Sequence, residues 1–121
     1  MRIVNHHAFL LLEPGTLFSK VTPNVFDPLQ IKGETLWHEG TPIDFSCQDI
    51  ADALDCSGSE EFNSLIEDSL KEGRSIPLNF ECEGRDGCYD EDQLFAVWEG
   101  SDVEALIERL QETLSMNGGP Y

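Results

Sequence analysis

A chain of 121 residues with 24 acidic and seven basic side chains carries a formal net charge of −17. Its length suits one domain with one modest core, since roughly 65% of the unfolded surface is buried at this size, and a 40% apolar composition with seven Phe and two Trp excludes disorder by composition. The longest apolar run, Ala8 to Leu12, is far short of the roughly 20 residues of a membrane helix, which excludes a helical span.

The opening residues MRIVNHHAFLLLEPG combine a single Arg and a short apolar run with two His and an early Glu. That pattern departs from a secretory signal, and a cytoplasmic location is expected. Arg2 to Val4 read as a short strand, and Asn5 is placed to cap a brief helix that stops at Pro14-Gly15. From Thr16 to Leu36, β-branched and aromatic residues with turn signals at Pro23-Asn24 and Asp27-Pro28 predict two strands, TLFSKVT and LQIKGETL, and Pro42 to Phe45 a short third one. The segment SCQDIADAL from Ser46 reads as one or two helical turns, with Ile50, Ala53 and Leu54 on one side.

A clearer helix follows. Ser57 and Glu60 have capping-box spacing, Phe62, Leu65, Ile66 and Leu70 recur at helical intervals, and Gly73 supplies the stop. Beyond it, IPLNFECE alternates, with Ile76, Leu78, Phe80 and Cys82 on one side, as in a half-buried strand with Pro77 at its edge or start. GRDG then reads as a turn, and Leu94 to Trp98 as an interior strand, with a helical turn capped by Asp90 and Gln93 as the alternative. In the last helix Ser101 and Glu104 repeat the capping-box spacing, and Val103, Leu106, Ile107, Leu110 and Leu114 form one apolar stripe; Gly118-Gly119-Pro120 ends the chain loosely. These elements predict a single α+β domain over residues 1–121, a small, mostly antiparallel sheet with two main amphipathic helices packed on it.

The charge is unevenly placed. Residues 1–45 hold three basic and five acidic side chains, whereas residues 46–121 hold four basic and nineteen acidic, a net of −15. Such a field repels nucleic acid, so direct DNA or RNA binding is not expected, and it steers basic protein surfaces toward the chain. Acidity that only keeps a protein soluble is the plainer explanation, but it gives no reason for concentration in one half.

The segments GTLFSKVTPNVFDPLQIKGETL, Gly15 to Leu36, and GRDGCYDEDQLFAVWEGSDVEALIERLQ, Gly84 to Gln111, resemble small uncharacterised proteins encoded in tailed-bacteriophage and prophage genomes. The likeness runs from Met1 to Gln111. It implies an accessory phage role in the host-cell cytoplasm and transfers no catalytic residue.

Three candidate sites follow from the residues. DGCYDEDQ, Asp86 to Gln93, is carboxylate-rich but misses a calcium loop: counted from Asp86, position 3 is Cys88 and position 6 is Glu91 where a Gly is needed. A looser metal site on Asp86, Asp90 and Asp92 would make a metal-dependent hydrolase, against the plainer reading of a solvated acidic turn. Around Leu29 to Gly40, Lys32, Gly33, Trp37 and His38 would suit a nucleotide-like ligand, with Lys32 on phosphate and Trp37 on the base, although no P-loop or GxGxxG is present; the competing reading is a strand with Trp37 in the core. His6 and His7 are adjacent and point apart in either a helix or a strand, so they do not share a metal.

The first functional expectation is therefore a non-enzymatic phage accessory protein without metal or cofactor. It binds a basic host protein through Asp90, Glu91, Asp92, Glu104 and Glu108, as a nucleic-acid mimic or defence inhibitor. Ligand sequestration by Lys32, Trp37 and His38 and metal-dependent hydrolysis are the alternatives. Cys47, Cys56, Cys82 and Cys88 lie 9, 26 and 6 residues apart, which matches no zinc or redox motif. Cys88, among carboxylates, is disfavoured as a thiolate. Denatured, unreduced protein is expected to show four titratable thiols; two or fewer would mean disulfides.

Overall fold

The computed structural model describes residues 1–51, 54, 56, 58–78, 80, 83–87 and 89–116. Strand β1 (Arg2–Val4) runs directly into helix α1 (His6–Leu10), which Asn5 initiates: its backbone is extended and its Oδ1 accepts the Ala8 N–H at 2.8 Å. Strands β2 (Leu17–Thr22) and β3 (Val25–Phe26) form a tight hairpin in which Asn24 takes the left-handed backbone. The longest strands, β4 (Gln30–His38) and β5 (Thr41–Asp49), are joined by Glu39 and Gly40, both at positive φ, as a two-residue hairpin of this twist requires. Helix α2 (Ser59–Glu72), strands β6 (Gly84–Arg85) and β7 (Leu94–Val97) and helix α3 (Gly100–Met116) complete the chain.

The sheet order is β1-β7-β2-β4-β5-β6, with β3 attached to β2, and each described pairing is antiparallel. The architecture is thus the α+β class expected. Because paired residues and alternate residues share a face, the registers Phe18↔Val97, Phe18↔Gln30 and Lys32↔Cys47 put Phe18, Phe95, Val97, Lys32, Cys47 and Phe45 on one side.

Helix α1 closes that side. The Phe9 ring stacks on Phe95 at 4.0 Å and meets Phe18 at 4.6 Å and Phe45 edge-on at 5.0 Å. All four rings are fully buried, and burial of each contributes about 1.5–3 kcal/mol. Leu10, Cys47 and Val97 extend the core.

Lys32 lies on the same face and is also fully buried. Its ammonium donates to Leu12 O at 2.9 Å, Gly33 O at 3.1 Å and Thr35 Oγ1 at 2.7 Å, and Thr35 Oγ1 donates to Leu10 O at 2.6 Å. Leu10 and Leu12 lie at the C-terminal end of α1, where carbonyls lack helical partners and the helix dipole is negative. Lys32 is therefore a buried helix cap. The register slips between Lys32 and Thr35, and a Cβ at Gly33 would meet Ser46 Oγ and the Glu83 carboxylate, whose side chains would have to turn away to admit it.

Several expected elements differ. Ser46 to Asp49, expected as helical turns, continue β5, because Phe45 and Cys47 face the core alternately and pairing to β4 and β6 holds both edges. Ile76 to Leu78 are not strand, and Leu78 and Phe80 are more than half exposed. Gly84 and Arg85 are the residues that pair with β5 on that side, and Pro77 has no N–H for a ladder. GRDG is accordingly an edge strand and clasp, not a hairpin turn. Leu94 to Val97 do form an interior strand, between β1 and β2.

Helix α2 begins at Ser59, after Gly58, with no side-chain cap, and ends on Gly73 at φ 70°; Ser57 lies outside the described residues, as do Ala53, Cys82, Cys88 and residues 117–121. In α3 the reciprocal cap is made two residues early, with the Glu99 N–H donating to Asp102 Oδ2 at 2.9 Å in place of a Ser101–Glu104 box. The Met1 ammonium 2.7 Å from Asp102 selects it, and holds that carboxyl below its ordinary range. No residue of α2 or α3 is buried.

Truncating the cap tests this account. Lys32→Met and Thr35→Val are each expected to destabilise the fold by about 1–3 kcal/mol, because each leaves buried carbonyls unpaired. A double-mutant cycle from urea unfolding should show coupling above about 0.5 kcal/mol, since one hydrogen-bond chain carries both.

Candidate functional site

The acidic segment is built into the fold at one end and exposed at the other. Asp44, fully buried on β5, receives Arg85 Nε on Oδ2 and the Gly87 N–H at 3.1 Å on Oδ1. Arg85 also donates to the Tyr89 hydroxyl, with its guanidinium carbon 5.9 Å from that ring's centre. Asp86 pairs with Lys20 at 2.7 Å, its side chain only 6% exposed. Asp86 is therefore an internal ion-pair member and not the solvated turn residue expected.

Asp90 follows a different rule: its Oδ1 accepts the Asp92 N–H at 2.9 Å and its carbonyl the Gln93 N–H at 3.1 Å, a side-chain-supported turn. Gln93 Nε2 then donates to Val21 O at 3.0 Å and fixes the turn to β2. Asp90, Glu91 and Asp92 are thereby held exposed. Asp86, Asp90 and Asp92 are engaged separately, and among the described residues no group of three or more His, Cys, Asp or Glu is placed to hold a metal.

The ligand alternative loses its central residue. Lys32, expected to meet a phosphate, has its ammonium enclosed by three protein acceptors, and burial draws its pKa below the ordinary lysine value against the opposing influence of Glu34 and Glu13. Trp37 is 56% exposed, so it belongs neither to the core nor to a site shared with the Lys32 ammonium, and His38 is exposed beside the hairpin turn. His6 and His7 do point apart: His6 is buried against Phe95, with Nε2 unpartnered, and His7 is exposed. Both line a groove of about 500 Å³ with Tyr89 and Glu91.

The proposed partner-binding carboxylates fall into two groups. Asp90, Glu91 and Asp92 precede β7 and Glu104 and Glu108 follow it, so the strand's length separates the acidic turn from the start of α3. On α3, Glu104 and Glu108 are one turn apart and exposed, and they flank Ile107, Leu110 and Leu114, which are 50, 55 and 51% exposed. A second groove, of about 520 Å³, runs along the helix between Met1, Trp98, Leu106 and Arg109.

Sequence reasoning missed Asp44, Arg85 and Tyr89. An isolated Asp in an apolar strand, PIDFSC, is the signal available, because a buried carboxylate demands a partner. No protein-family model matches this chain, and neither a curated protein nor a solved structure is similar to it.

The cysteine chemistry is measurable at Cys47. Burial, with Asp86 next in effect, pushes its thiol from the ordinary 9.0 up to about 11. The unfolded chain then loses its proton first, so this stabilisation is complete below about pH 9 and is lost as pH rises through 11. Relative to Cys47→Ala, the native chain should lose about 3 kcal/mol of unfolding free energy across that window, at about 1.36 kcal/mol per pKa unit. Parallel stability profiles for the two proteins would refute it.

Proposed function

We propose that this chain is a non-enzymatic phage or prophage accessory protein that binds a host protein with a basic surface through its acidic second half, as a nucleic-acid mimic or defence inhibitor. The phage assignment rests on the sequence resemblance described above. One observation carries the binding mode: five of the seven cations are paired or buried while the acidic groups beside β7 and the carboxylates of Glu104 and Glu108 on α3 face out.

Of the seven Lys and Arg, Lys20 is paired to Asp86, Lys71 to Glu67, Arg74 to Glu72 and Arg85 to Asp44, and Lys32 is enclosed. Few cations remain to neutralise phosphates, which supports a protein partner over nucleic acid. Among the described residues the carboxylates of Glu104 and Glu108 enter no ion pair or side-chain hydrogen bond, and both residues are exposed. A rigid array of carboxylates on a basic surface raises the association rate before it raises affinity.

The test is capture from bacterial lysate followed by kinetics on the captured protein. Association should slow as salt rises, since screening at about 0.15 M shortens the field to roughly 8 Å. Neutralising Glu91, Asp92, Glu104 and Glu108 should slow it more than neutralising Glu13, Asp27, Glu34 and Glu39, with folding checked by circular dichroism. Equal effects of the two sets would remove the acidic half as the interface, and salt-independent binding would remove electrostatic mimicry.

A further inference from the structure

Helix α3 carries more than charge. Val103, Ile107, Leu110 and Leu114 follow one another at intervals of 4, 3 and 4 residues, the spacing of a seam that receives another helix. The first of these is half-buried, but Ile107, Leu110 and Leu114 remain at least half exposed, although burying such side chains contributes about 1.5–3 kcal/mol each. The helix itself is held in place, by the Glu99–Asp102 cap and the Met1 ammonium at its start. The helix is 17 residues long, and its seam from Val103 to Leu114 runs about 17 Å at about 1.5 Å per residue.

The charges beside the seam identify what covers it. Glu104 and Glu108 border its solvent side, while Asp102 and Leu106 on the other side face Met1 and Trp98. A second copy would bring another formal charge of −17 to the seam, and α2, with Glu60, Glu61, Glu67, Asp68 and Glu72 against Lys71 alone, repeats the same sign. The chain's own cations here, Arg109 and the Met1 ammonium, line the groove on the other side of the seam, so the countercharge for Glu104 and Glu108 is taken to come from a partner.

We infer that α3 is the docking surface for an amphipathic basic helix of the partner, one with an apolar stripe at 3–4 spacing and Lys or Arg on the flank that meets Glu104 and Glu108. This rests on the acidic-surface reading above and adds the apolar seam to it. The partner's stripe covers Ile107, Leu110 and Leu114, and its cations lie beside the two glutamates. The carboxylates set orientation and encounter rate; the seam supplies the residence time.

Three labelled synthetic peptides test this on the full chain by fluorescence anisotropy at 0.15 M salt. One has a leucine stripe flanked by lysines, the second has the same composition with the stripe scrambled, and the third has the stripe flanked by glutamates. The striped lysine peptide should bind at least tenfold tighter than the scrambled one, and the glutamate peptide should not bind. Ile107→Ser with Leu110→Ser should erase the tenfold difference, and Glu104→Gln with Glu108→Gln should weaken the striped peptide several-fold.

Equal binding of the two lysine peptides by the unaltered chain overturns the seam while leaving the acidic-surface reading intact, and needs no variant to fold. Comparable binding of the lysine-flanked and glutamate-flanked stripes overturns both. Self-association in sedimentation that Leu110→Glu abolishes would make a second copy the occupant and overturn the proposal.

Discussion

Phe9 is the side chain on which the fold closes. It comes from a helix of only five residues, far below the length at which a helix persists alone, yet its ring is the common neighbour of Phe18, Phe45 and Phe95 on three strands. Everything that holds α1 therefore acts on the core. Asn5 fixes its start, and Lys32 and Thr35, reaching across from β4, satisfy the carbonyls at its end. A buried lysine is ordinarily a liability. Here it is tolerated because three acceptors surround the ammonium, two of them backbone carbonyls, including one at the negative end of the helix.

The same principle organises the opposite edge. Asp44 is as deeply buried as Lys32, and its oxygens are satisfied by Arg85 and the Gly87 amide, which pulls Gly84 and Arg85 into the sheet. Lys20 and Asp86 pair beside them. These internal arrangements remove basic charge from the surface of a chain that has little of it. Each pair also takes up a carboxylate, so the net charge of −17 is unchanged; what the arrangement decides is which carboxylates stay exposed, among them Asp90, Glu91, Asp92, Glu104 and Glu108. Fold stability and surface electrostatics thus share a cause.

The long helices contrast with this closed core. α1 buries three of its residues, whereas α2 and α3, each more than twice as long, bury none. Their apolar faces are used internally only in part, with Leu65, Val103 and Leu106 half-buried and the rest exposed. A small sheet whose core face is already closed by α1 and four aromatic rings has no second place for them on that side. The exposed seam of α3 follows from the economy of α1.

Much of the fold was legible in the sequence, and particular residues show why. Asn5 before HHAFL, Gly73 after the α2 stripe, Pro23-Asn24 between β2 and β3, and the doubly apolar LFAVW all act locally: a cap, a stop, a turn and an interior strand are consequences of nearby residues alone. The exposed acidic turn and the Glu104–Glu108 pair were legible for the same reason. The errors came where distant groups decided. Ser46 to Asp49 have residues fit for a helical turn, but pairing on both edges makes them strand. Ile76 to Leu78 alternate convincingly, but Pro77 has no N–H for a ladder, and Gly84 and Arg85, held by Asp44, are what pair with β5. The α3 cap moved to Asp102 because the Met1 ammonium lies there.

By itself, then, the sequence determined the α+β class, the positions of the amphipathic helices and the sign and placement of the charge, since each depends on local periodicity or composition. Only the tertiary structure decided that the Lys32 ammonium is enclosed as a buried cap, that Asp86 is held by Lys20, and that the stripe of α3 stays open. A side chain's chemistry is set by what surrounds it, and in all three cases the surrounding groups lie on other elements of the fold.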